Sequence, residues 1–302
     1  MKGWIIYRKP ETHVSEDVYE MKRFREEAEK QNIEMEVYPP EVFDLSISHG
    51  DKKSIRVNGK KEPLPDFIIP RMGAGTTYFT LAVIRHFESL GVHSVNSSVA
   101  IEAVKDKLYT QQILSTSSLP IPDMMLVKFP VDIDMIAETL GFPVVIKTIH
   151  GAQGKGVFLA ENRTKLADMM QLIEVTNDKA NIILQQYIPE SRGRDLRVFM
   201  IGGKPVACME RTAPEGSFKA NFSQGGKVKS YPMNHEIEWI ATEASRLMGL
   251  EISGVDLLFD DKGFKVCEIN SAPGFRGIET ACEINIPDHI FHYVRIRLGI
   301  FN

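Results

Sequence analysis

The chain opens with an alternation of short apolar runs and longer amphipathic stretches. The amphipathic stretches carry apolar residues at helical spacing, and the apolar runs are typical of buried strands. The strands are GWIIYR, IEMEVYPP and PDFIIPRMG, and the helices are SEDVYEMKRFREEAEKQN and TYFTLAVIRHFESLG. This order predicts an N-terminal α/β domain with a parallel sheet over residues 1–96. The segment SIRVNGKKEPLP predicts a hairpin that turns at Asn58–Gly59.

The pattern changes after residue 96. One long helical stretch, SSVAIEAVKDKLYTQQILSTSS, precedes a strand, the glycine-rich segment GAQGKG and another strand. Beyond NIILQQYIP, closely spaced strand patterns indicate an antiparallel sheet: RDLRVFMIGG, KPVACMERTA, ISGVDLLFDD and GFKVCEIN. We interpret residues 97–185 as a central α+β unit and residues 186–302 as a C-terminal one.

Composition limits the classes of partner. The 302 residues are 43% hydrophobic and 25% charged, which is typical of a globular protein with more than one domain. A formal net charge of −4 argues against binding of nucleic acid or an anionic membrane by the molecule as a whole. No apolar segment approaches the roughly 18–20 residues of a membrane span. Three cysteines without C-x-x-C spacing predict a reducing, cytoplasmic environment.

The last hairpin places polar residues in apolar strands. If GVDLLFDDKGFKVCEIN is centred on Lys262, Asp256 lies opposite Glu268, and Asn270 points to the same face two residues later. Cys267 and Ile269 are then expected to face the core. Two adjacent carboxylates and an amide oxygen predict a Mg²⁺ site, because a cation relieves their repulsion. The alternative is that both carboxylates lie on a solvated face.

A second group of residues is suited to phosphate. Lys147 ends a strand, and Gly151, Gly154 and Gly156 follow in a loop whose backbone N–H groups can approach an anion. The loop fits neither the P-loop nor the Rossmann fingerprint, and a plain hairpin turn is the alternative. Lys107, on the preceding helix, and several later arginines and lysines add positive charge. Together with the metal set, these features predict a nucleoside polyphosphate.

Two further segments extend this site. QQYI ends a strand just before a break, where backbone groups can hydrogen-bond an adenine ring. Asp195 opens the next strand with Arg197 on the same face. A local structural ion pair between Asp195 and Arg197 is the alternative to a binding role.

The ordered set of these motifs resembles the ATP-grasp ligases. It is most similar to the RimK-type glutamate ligases and their relatives that make N-acetylaspartylglutamate and citrylglutamate. The resemblance covers nearly the whole chain, including IPRMG, VNSSVAIEAVKDK, QQYIPE, GRDLRVF, KANFSQGG, GVDLL and CEINSAPG. It implies an ATP-grasp fold behind a Rossmann-like pre-ATP-grasp domain. It also implies a homodimer or homotetramer.

The resemblance assigns roles to residues. It implies ATP contacts from the two lysines, the glycine loop, the adenine segment and the segment before the glycine pair, namely Lys107, Lys147, Gly151, Gly154, Lys155, Gly156, Gln186, Tyr187, Asp195 and Lys219. It implies Mg²⁺ or Mn²⁺, as two ions, at Asp256, Glu268 and Asn270. Gln186 stands where the family often has Glu, and KANFSQGG replaces the family's RSN pattern while keeping Asn221.

The implied chemistry is ligation of a carboxylate to an amine through an acyl phosphate. Arg211, Lys219 and Asn221 are the candidate catalytic residues, and no enzyme nucleophile is required. The amino acid implied is L-glutamate, for which Arg71, Arg211 and Arg276 are candidate carboxylate ligands. The acceptor is a protein C-terminus, a small carboxylic acid or a cofactor tail. Ligation on a carrier protein and a non-catalytic ATP-binding regulator are the alternatives.

Overall fold

The computed structural model describes residues 1–8, 19–47, 49, 55–148, 156–214 and 226–301. Within these ranges the chain forms three four- or five-stranded sheets and one two-stranded ribbon. None of the helices found there combines the length and the apolar character that crossing a membrane requires. The division of the chain after residues 96 and 185 stays a prediction.

The first sheet is parallel, as predicted. Its strand order is β2-β1-β5-β6, with β1 (Lys2–Ile6), β2 (Glu34–Tyr38), β5 (Phe67–Pro70) and β6 (His93–Ser94). Helices α1 (Tyr19–Lys30) and α2 (Tyr78–Ser89) alternate with these strands. Arg71 directly follows β5, so it lies at the carboxyl edge of the sheet, where the sequence predicted a ligand-facing residue.

The predicted hairpin at Asn58–Gly59 is correct in its turn and wrong in its strand pairing. Both residues have positive φ, 50° and 77°, as a tight turn requires. However, β4 (Ile55–Val57) pairs with β3 (Phe43–Leu45), which precedes it, and only a single bridge from Val57 to Lys60 crosses the turn. The polar run after the turn offers no apolar face to the core, so it does not extend the ribbon.

The long helix predicted after residue 96 is two helices, α3 (Ser98–Lys105) and α4 (Lys107–Thr116). Asp106 separates them. Its backbone is extended, and its side chain accepts hydrogen bonds from the N–H groups of Leu108 and Tyr109, which caps α4. The break therefore places Lys107 at the first position of a new helix.

The second sheet is antiparallel and covered on one face by two helices. Its order is β7-β10-β8-β9, with β7 (Met124–Val127), β8 (Val144–Thr148), β9 (Val157–Ala160) and β10 (Ile182–Gln186). Helices α5 (Ile133–Leu140) and α6 (Arg163–Thr176) pack on alternate residues of these strands, such as Ile146 and Leu184. The residues between them, including Lys147 and Gln185, therefore point to the opposite face.

The third sheet is covered on both of its faces by hydrophobic cores. Its order is β13-β12-β11-β14-β15, with β11 (Arg194–Ile201), β12 (Lys204–Thr212), β13 (Lys227–Ser230), β14 (Ile252–Asp260) and β15 (Gly263–Asn270). One face buries Leu196 and Val198 against α7 (His235–Leu247). The other buries Phe199 and Ile201 in a core shared with the first sheet, α8 (Arg276–Cys282) and α9 (Ile286–Arg297).

One glycine shows how tightly the first sheet packs. Gly3 in β1 lies beside Phe67 in β5, and a Cβ atom at Gly3 would come within 2.2 Å of the Phe67 ring. We expect Gly3→Ala to lower the free energy of unfolding by about 1–3 kcal/mol, because the fully buried ring has little room to move. Urea unfolding at fixed pH measures this change.

Gly75→Ala is the matched control, because a Cβ there would meet no atom within 4 Å. We expect its effect to stay within about 0.5 kcal/mol. Equal effects of the two substitutions would contradict the packing argument.

Candidate active site

Asp256 is the centre of a buried ionic network on the third sheet. Arg197 Nε and Nη2 donate to its two carboxylate oxygens at 2.7 Å each. Arg211 Nη2 lies 2.9 Å from Asp256 Oδ2 and also donates to Asp195, at 2.6 Å. Two arginines thus neutralise two aspartates on one face of β11, β12 and β14.

The network overturns the alternative of an ion pair between Asp195 and Arg197. Asp195 does not pair with Arg197, its neighbour on the same strand face. It pairs with Arg211 across the β11–β12 ladder through two hydrogen bonds, while Arg197 pairs with Asp256 across the β11–β14 ladder. Each pair is directly opposed in register, so the carboxylate and guanidinium planes can meet side by side.

Burial and ion pairing have opposite effects on the pKa values of Asp195 and Asp256. Burial raises the pKa of each carboxyl group, and the neighbouring arginines lower it. Burial raises the pKa of Asp195 to about 6, against the lowering effect of Arg211. Burial also acts to raise the pKa of Asp256, but Arg197 and Arg211 together hold it below its ordinary value. Asp256 is 5% exposed and remains ionised because both arginines contact it.

The predicted oxygen set is brought together. Asp256 lies opposite Glu268, as predicted, and Asn270 lies opposite Gly254, two residues along the same face. Asn270 Nδ2 is 3.5 Å from Asp256 Oδ2, and Lys107 Nζ donates to Glu268 Oε1 in a short contact. The two carboxylates therefore lie side by side with separate cationic partners, and the solvated-face interpretation is wrong for Asp256.

The centre of this hairpin differs from the prediction. Asp260 pairs with Gly263, so the turn consists of Asp261 and Lys262 and a regular ladder would put Cys267 opposite Asp256. A β-bulge shifts the register between Asp256 and Leu257, so that Glu268 takes this place. Cys267 is the extra residue.

The bulge overturns the prediction for Cys267. Ile269 is buried in the core against α7, as expected, but Cys267 is not part of that core. Its Sγ lies 3.7 Å from Lys147 Nζ, and both residues line a cleft between the second and third sheets. Burial raises the pKa of the Cys267 thiol, and Lys147 counteracts part of that increase.

Both lysines that are predicted to bind phosphate line the same cleft. Lys107 from α4 and Lys147 from β8 line it with Glu268, Met124 and Gln111. Gly156 is described and has φ 76°, a conformation that favours glycine. Gly151, Gly154, Lys155, Lys219 and Asn221 lie outside the described residues, so their predicted contacts are not tested.

The sequence prediction missed Gln185. It lies in β10, is 2% exposed, and its Oε1 has no hydrogen-bond partner among the described residues. It pairs in register with Val145, which puts it on the cleft face with Lys147. Its neighbour Gln186 points the other way, and its side chain lies 3.4 Å from the Asp123 N–H. Two consecutive glutamines in an apolar strand were the signal available.

Two of the three candidate substrate arginines, Arg71 and Arg276, lie at the segment after β15, and the third, Arg211, lies in the ionic network. The Arg71 Nη2 atom donates to the Pro273 carbonyl at 2.8 Å, and its guanidinium lies 5.6 Å from the Phe275 ring. Arg276 is exposed, with its guanidinium 5.8 Å from the Tyr19 ring. Burial lowers the pKa of Arg71, and no carboxylate of the described residues lies within 4 Å of it to form an ion pair.

The donor set suits a hard divalent cation. Within the described ranges, no three His, Cys, Asp or Glu side chains are grouped closely enough to hold a metal ion. Two carboxylates and an amide are nevertheless side chains whose oxygens Mg²⁺ accepts, with phosphate and water as further ligands. Glu268 is the accessible member, with 39% of its side chain exposed.

Comparison with protein families shows to which family the chain belongs. A model of the RimK-like ATP-grasp domain matches residues 104–294, and a model of the RimK pre-ATP-grasp domain matches residues 13–101. The chain belongs to the RimK-like ATP-grasp family. It is an ATP-dependent ligase that joins a carboxylate to an amine, and the predicted fold and family are confirmed.

Two relatives show how far the similarity extends. The chain is 38% identical to a probable alpha-L-glutamate ligase of Legionella pneumophila (strain Corby) over 278 residues, 92% of this chain and 91% of that protein. It is 39% identical to the protein of the same name from Methanococcoides burtonii over 281 residues, 93% and 92% of the two chains.

Solved structures share the fold. The ATP-grasp ligase PsnB complexed with its minimal precursor, Mg and ADP superposes with a TM-score of 0.73 at 18% identity, over 97% of this chain and 98% of the other. D-alanine–D-alanine ligase from Bacillus anthracis gives a TM-score of 0.67 at 16% identity, over 99% and 98%. In the first of these complexes PsnB holds Mg and ADP.

The ionic network makes a test possible without substrate. We expect Arg197→Met to lower the free energy of unfolding by about 3 kcal/mol, because it leaves a buried carboxylate short of one countercharge. If Asp256 is a metal ligand, as the sequence predicts, Mg²⁺ should restore more stability to this variant than to the wild-type protein, since it would supply positive charge beside Asp256. Urea unfolding with and without Mg²⁺ measures both effects.

The control is Arg85→Met, which removes an exposed arginine 3.5 Å from Glu102. We expect this change to cost no more than about 1 kcal/mol and to leave the Mg²⁺ effect equal to that of the wild-type protein. An Arg197→Met variant that behaves like this control would show that Arg197 does not compensate the Asp256 charge.

Proposed function

We propose that the protein adds L-glutamate to the carboxylate of a protein C-terminus or a small carboxylic acid, with conversion of ATP to ADP and phosphate. The acceptor carboxylate attacks the γ-phosphorus, which gives an acyl phosphate and ADP. The amine of glutamate then attacks the acyl carbon, an amide forms, and phosphate leaves. The names of the similar proteins from Legionella and Methanococcoides support the choice of glutamate.

The cleft residues are suited to hold the nucleotide. Lys107 and Lys147 project from two different elements into one cleft, where both can contact phosphate oxygens. Gln185 Oε1 is an acceptor without a partner among the described side chains and backbone groups, and a buried acceptor of this kind calls for a donor. We assign it to an amino group of the nucleotide base, beside Gln186 and Tyr187.

Asp256, Glu268 and Asn270 would hold Mg²⁺ or Mn²⁺, as two ions. The metal would neutralise charge on the phosphoryl group that is transferred. Lys107, which contacts Glu268, contributes charge next to the same phosphates. Arg211 remains our candidate for contacting the acyl phosphate, together with Lys219 and Asn221.

One observation supports a dicarboxylic amino acid in particular. Arg71 is a largely buried guanidinium with one hydrogen bond, to the Pro273 carbonyl, and with no carboxylate in ion-pair contact among the described residues. A buried cation of this kind is compensated when a ligand brings a carboxylate. Arg276 lies on the same segment, so the two arginines can serve the two carboxylates of glutamate.

The assignment of the metal ligands is tested with Glu268→Gln. We expect more than a 100-fold loss of glutamate-dependent ADP formation, because outer-shell changes alone cost about 10- to 100-fold at metal sites. A coupled ADP assay with glutamate and a panel of peptides and small carboxylic acids measures the rate. Mass spectrometry of the acceptor then detects the added glutamyl group.

Asp260→Asn is the matched control, since Asp260 lies on the same hairpin but pairs with Lys265 away from the cleft. We expect it to retain the wild-type rate. Undiminished turnover by Glu268→Gln would refute the metal assignment, and ADP formation that is equal with and without glutamate would refute the substrate.

The role of Arg71 predicts a selective loss. We expect Arg71→Met to raise the KM for glutamate by at least about tenfold, because a charged hydrogen bond contributes about 1.5–3 kcal/mol. The KM for ATP should stay within about twofold, since Arg71 lies outside the cleft that holds both lysines. Initial rates at varied glutamate and varied ATP separate the two constants.

Arg85→Met, on the exposed face of α2, is the control for this experiment. An equal rise of both KM values in Arg71→Met would indicate general disruption and would count against a glutamate contact.

A further inference from the structure

Asn96 lies between the N-terminal sheet and the sheet that carries the metal ligands. It is 1% exposed and directly precedes the N-cap of α3. Its own carbonyl accepts a hydrogen bond from the Ser94 hydroxyl at 2.7 Å, so its backbone is fixed from the N-terminal side. None of the roles assigned above uses this residue.

The side-chain amide of Asn96 makes four hydrogen bonds to backbone groups at the start of β14 and directly after β15. Oδ1 accepts from the N–H groups of Glu251 and Ile252 at 2.6 and 2.8 Å. Nδ2 donates to the carbonyls of Ile252 and Ser271 at 2.7 and 2.8 Å. Every hydrogen-bonding position of a primary amide, two on oxygen and two on nitrogen, is therefore used.

These bonds lie where the β14–β15 ladder ends. The last paired residues are Gly254 and Asn270, and Ser271 follows Asn270 directly. Beyond that pair no main-chain rung connects Ile252 to Ser271 in the described ladder, and the Asn96 amide bridges their carbonyls instead. The side chain thus bridges the two chain segments just beyond the last pair of the ladder and fixes the residue next to the proposed metal ligand Asn270.

Neighbouring contacts hold the same segment to the N-terminal domain. Pro273 O accepts from Arg71, and the Phe275 N–H donates to Glu20 at 3.2 Å. Gly254 allows Pro273 to pack closely, because a Cβ there would come within 2.8 Å of the Pro273 Cβ. Of these contacts, the one from Asn96 is nearest to Asn270, because it is made to Ser271, the next residue along the chain.

We propose that Asn96 is a positioning residue that sets the end of β15 and hence the placement of the Asn270 oxygen toward the metal. The proposal rests on the metal assignment made above. On this proposal the N-terminal domain helps to position a metal ligand, although the three proposed ligands all lie in β14 and β15. Removing the Nδ2 donor should weaken metal binding beyond any effect on folding, because second-layer partners orient the ligands of a metal site.

The test is Asn96→Asp, which keeps the shape and the Oδ1 acceptor and replaces the donor with an oxygen that faces two carbonyls. We expect Mn²⁺ affinity in the presence of ADP to fall about 10- to 100-fold, read by electron paramagnetic resonance of free Mn²⁺. The Mg²⁺ concentration for half-maximal activity should rise in parallel, while kcat at saturating Mg²⁺ changes less than twofold.

Asn285→Asp is the matched control, because Asn285 Nδ2 also donates to an oxygen, that of Glu27, and the hydrogen bonds described for its side chain go to α1 and α9. We expect a similar loss of thermal stability and unchanged Mn²⁺ affinity. Asn96→Ser, which retains one hydroxyl donor, serves if Asn96→Asp does not fold, and we expect a smaller loss of affinity in it.

The outcomes separate the two proposals. Wild-type Mn²⁺ affinity in the variant that folds, whether Asn96→Asp or Asn96→Ser, would overturn the positioning role and leave the metal site intact. Mn²⁺ affinity unchanged by Asp256→Asn would overturn the metal assignment, and the positioning role with it.

Discussion

Neutralisation of the buried Asp256 carboxylate is the interaction on which the centre of the molecule depends. Burying an ion costs several kcal/mol even after relaxation, so the carboxylate is tolerated only with close countercharges and satisfied oxygens. Arg197 and Arg211 provide both. With Asp195, the four side chains carry equal positive and negative charge. A third carboxylate, Glu268, is compensated separately by Lys107 from α4.

Two irregularities in the third sheet bring these charges into register. In the β11–β12 hairpin, Ile201 pairs with Lys204, and a regular ladder would place Glu210 opposite Asp195. The register shift between Phe199 and Met200 places Arg211 there instead. The bulge at Cys267 does the same for Glu268 opposite Asp256. Without these shifts, Asp195 would lie opposite Glu210 and Asp256 would lie opposite Cys267. Bulges are enriched next to active sites, and these two follow that trend.

Part of the site followed from sequence because its signals are local. The Asp-Asp-Lys-Gly turn and strand alternation placed Asp256, Glu268 and Asn270 on one face, although the true turn and the bulge compensate each other in that result. The parallel N-terminal sheet and the position of Arg71 followed from hydrophobic period and chain order. The helix break at Asp106 was missed, because Asp is compatible with both a helix interior and a cap until the helix direction is known.

Other features depend on contacts between distant segments, which periodicity does not reveal. The partner of Asp195 is set by a bulge, and local spacing favoured Arg197, two residues away. Strand alternation predicted that Cys267 faces the core. In the structure, the Gln111 side chain donates to the Cys267 carbonyl and Lys147 contacts its sulfur, and both of these residues come from other elements. Gln185 was passed over in favour of Gln186, because only the pairing with β8 shows which glutamine faces the cleft.

The segment after β15 connects the chemistry to the N-terminal domain. Ser271, Pro273 and Phe275 are each held through a backbone atom, by Asn96, Arg71 and Glu20 respectively. Backbone contacts constrain position without restricting side-chain identity, so this segment can keep its course while its side chains adapt to a substrate. Because it begins directly after Asn270 and ends at Arg276, a displacement of the N-terminal domain would move the proposed metal ligand and the proposed substrate-binding cation together. The three segments that contribute Arg71, Asn96 and Glu20 therefore constrain the position of the proposed active site. They do so although the cleft that we assign to the nucleotide lies between the other two sheets.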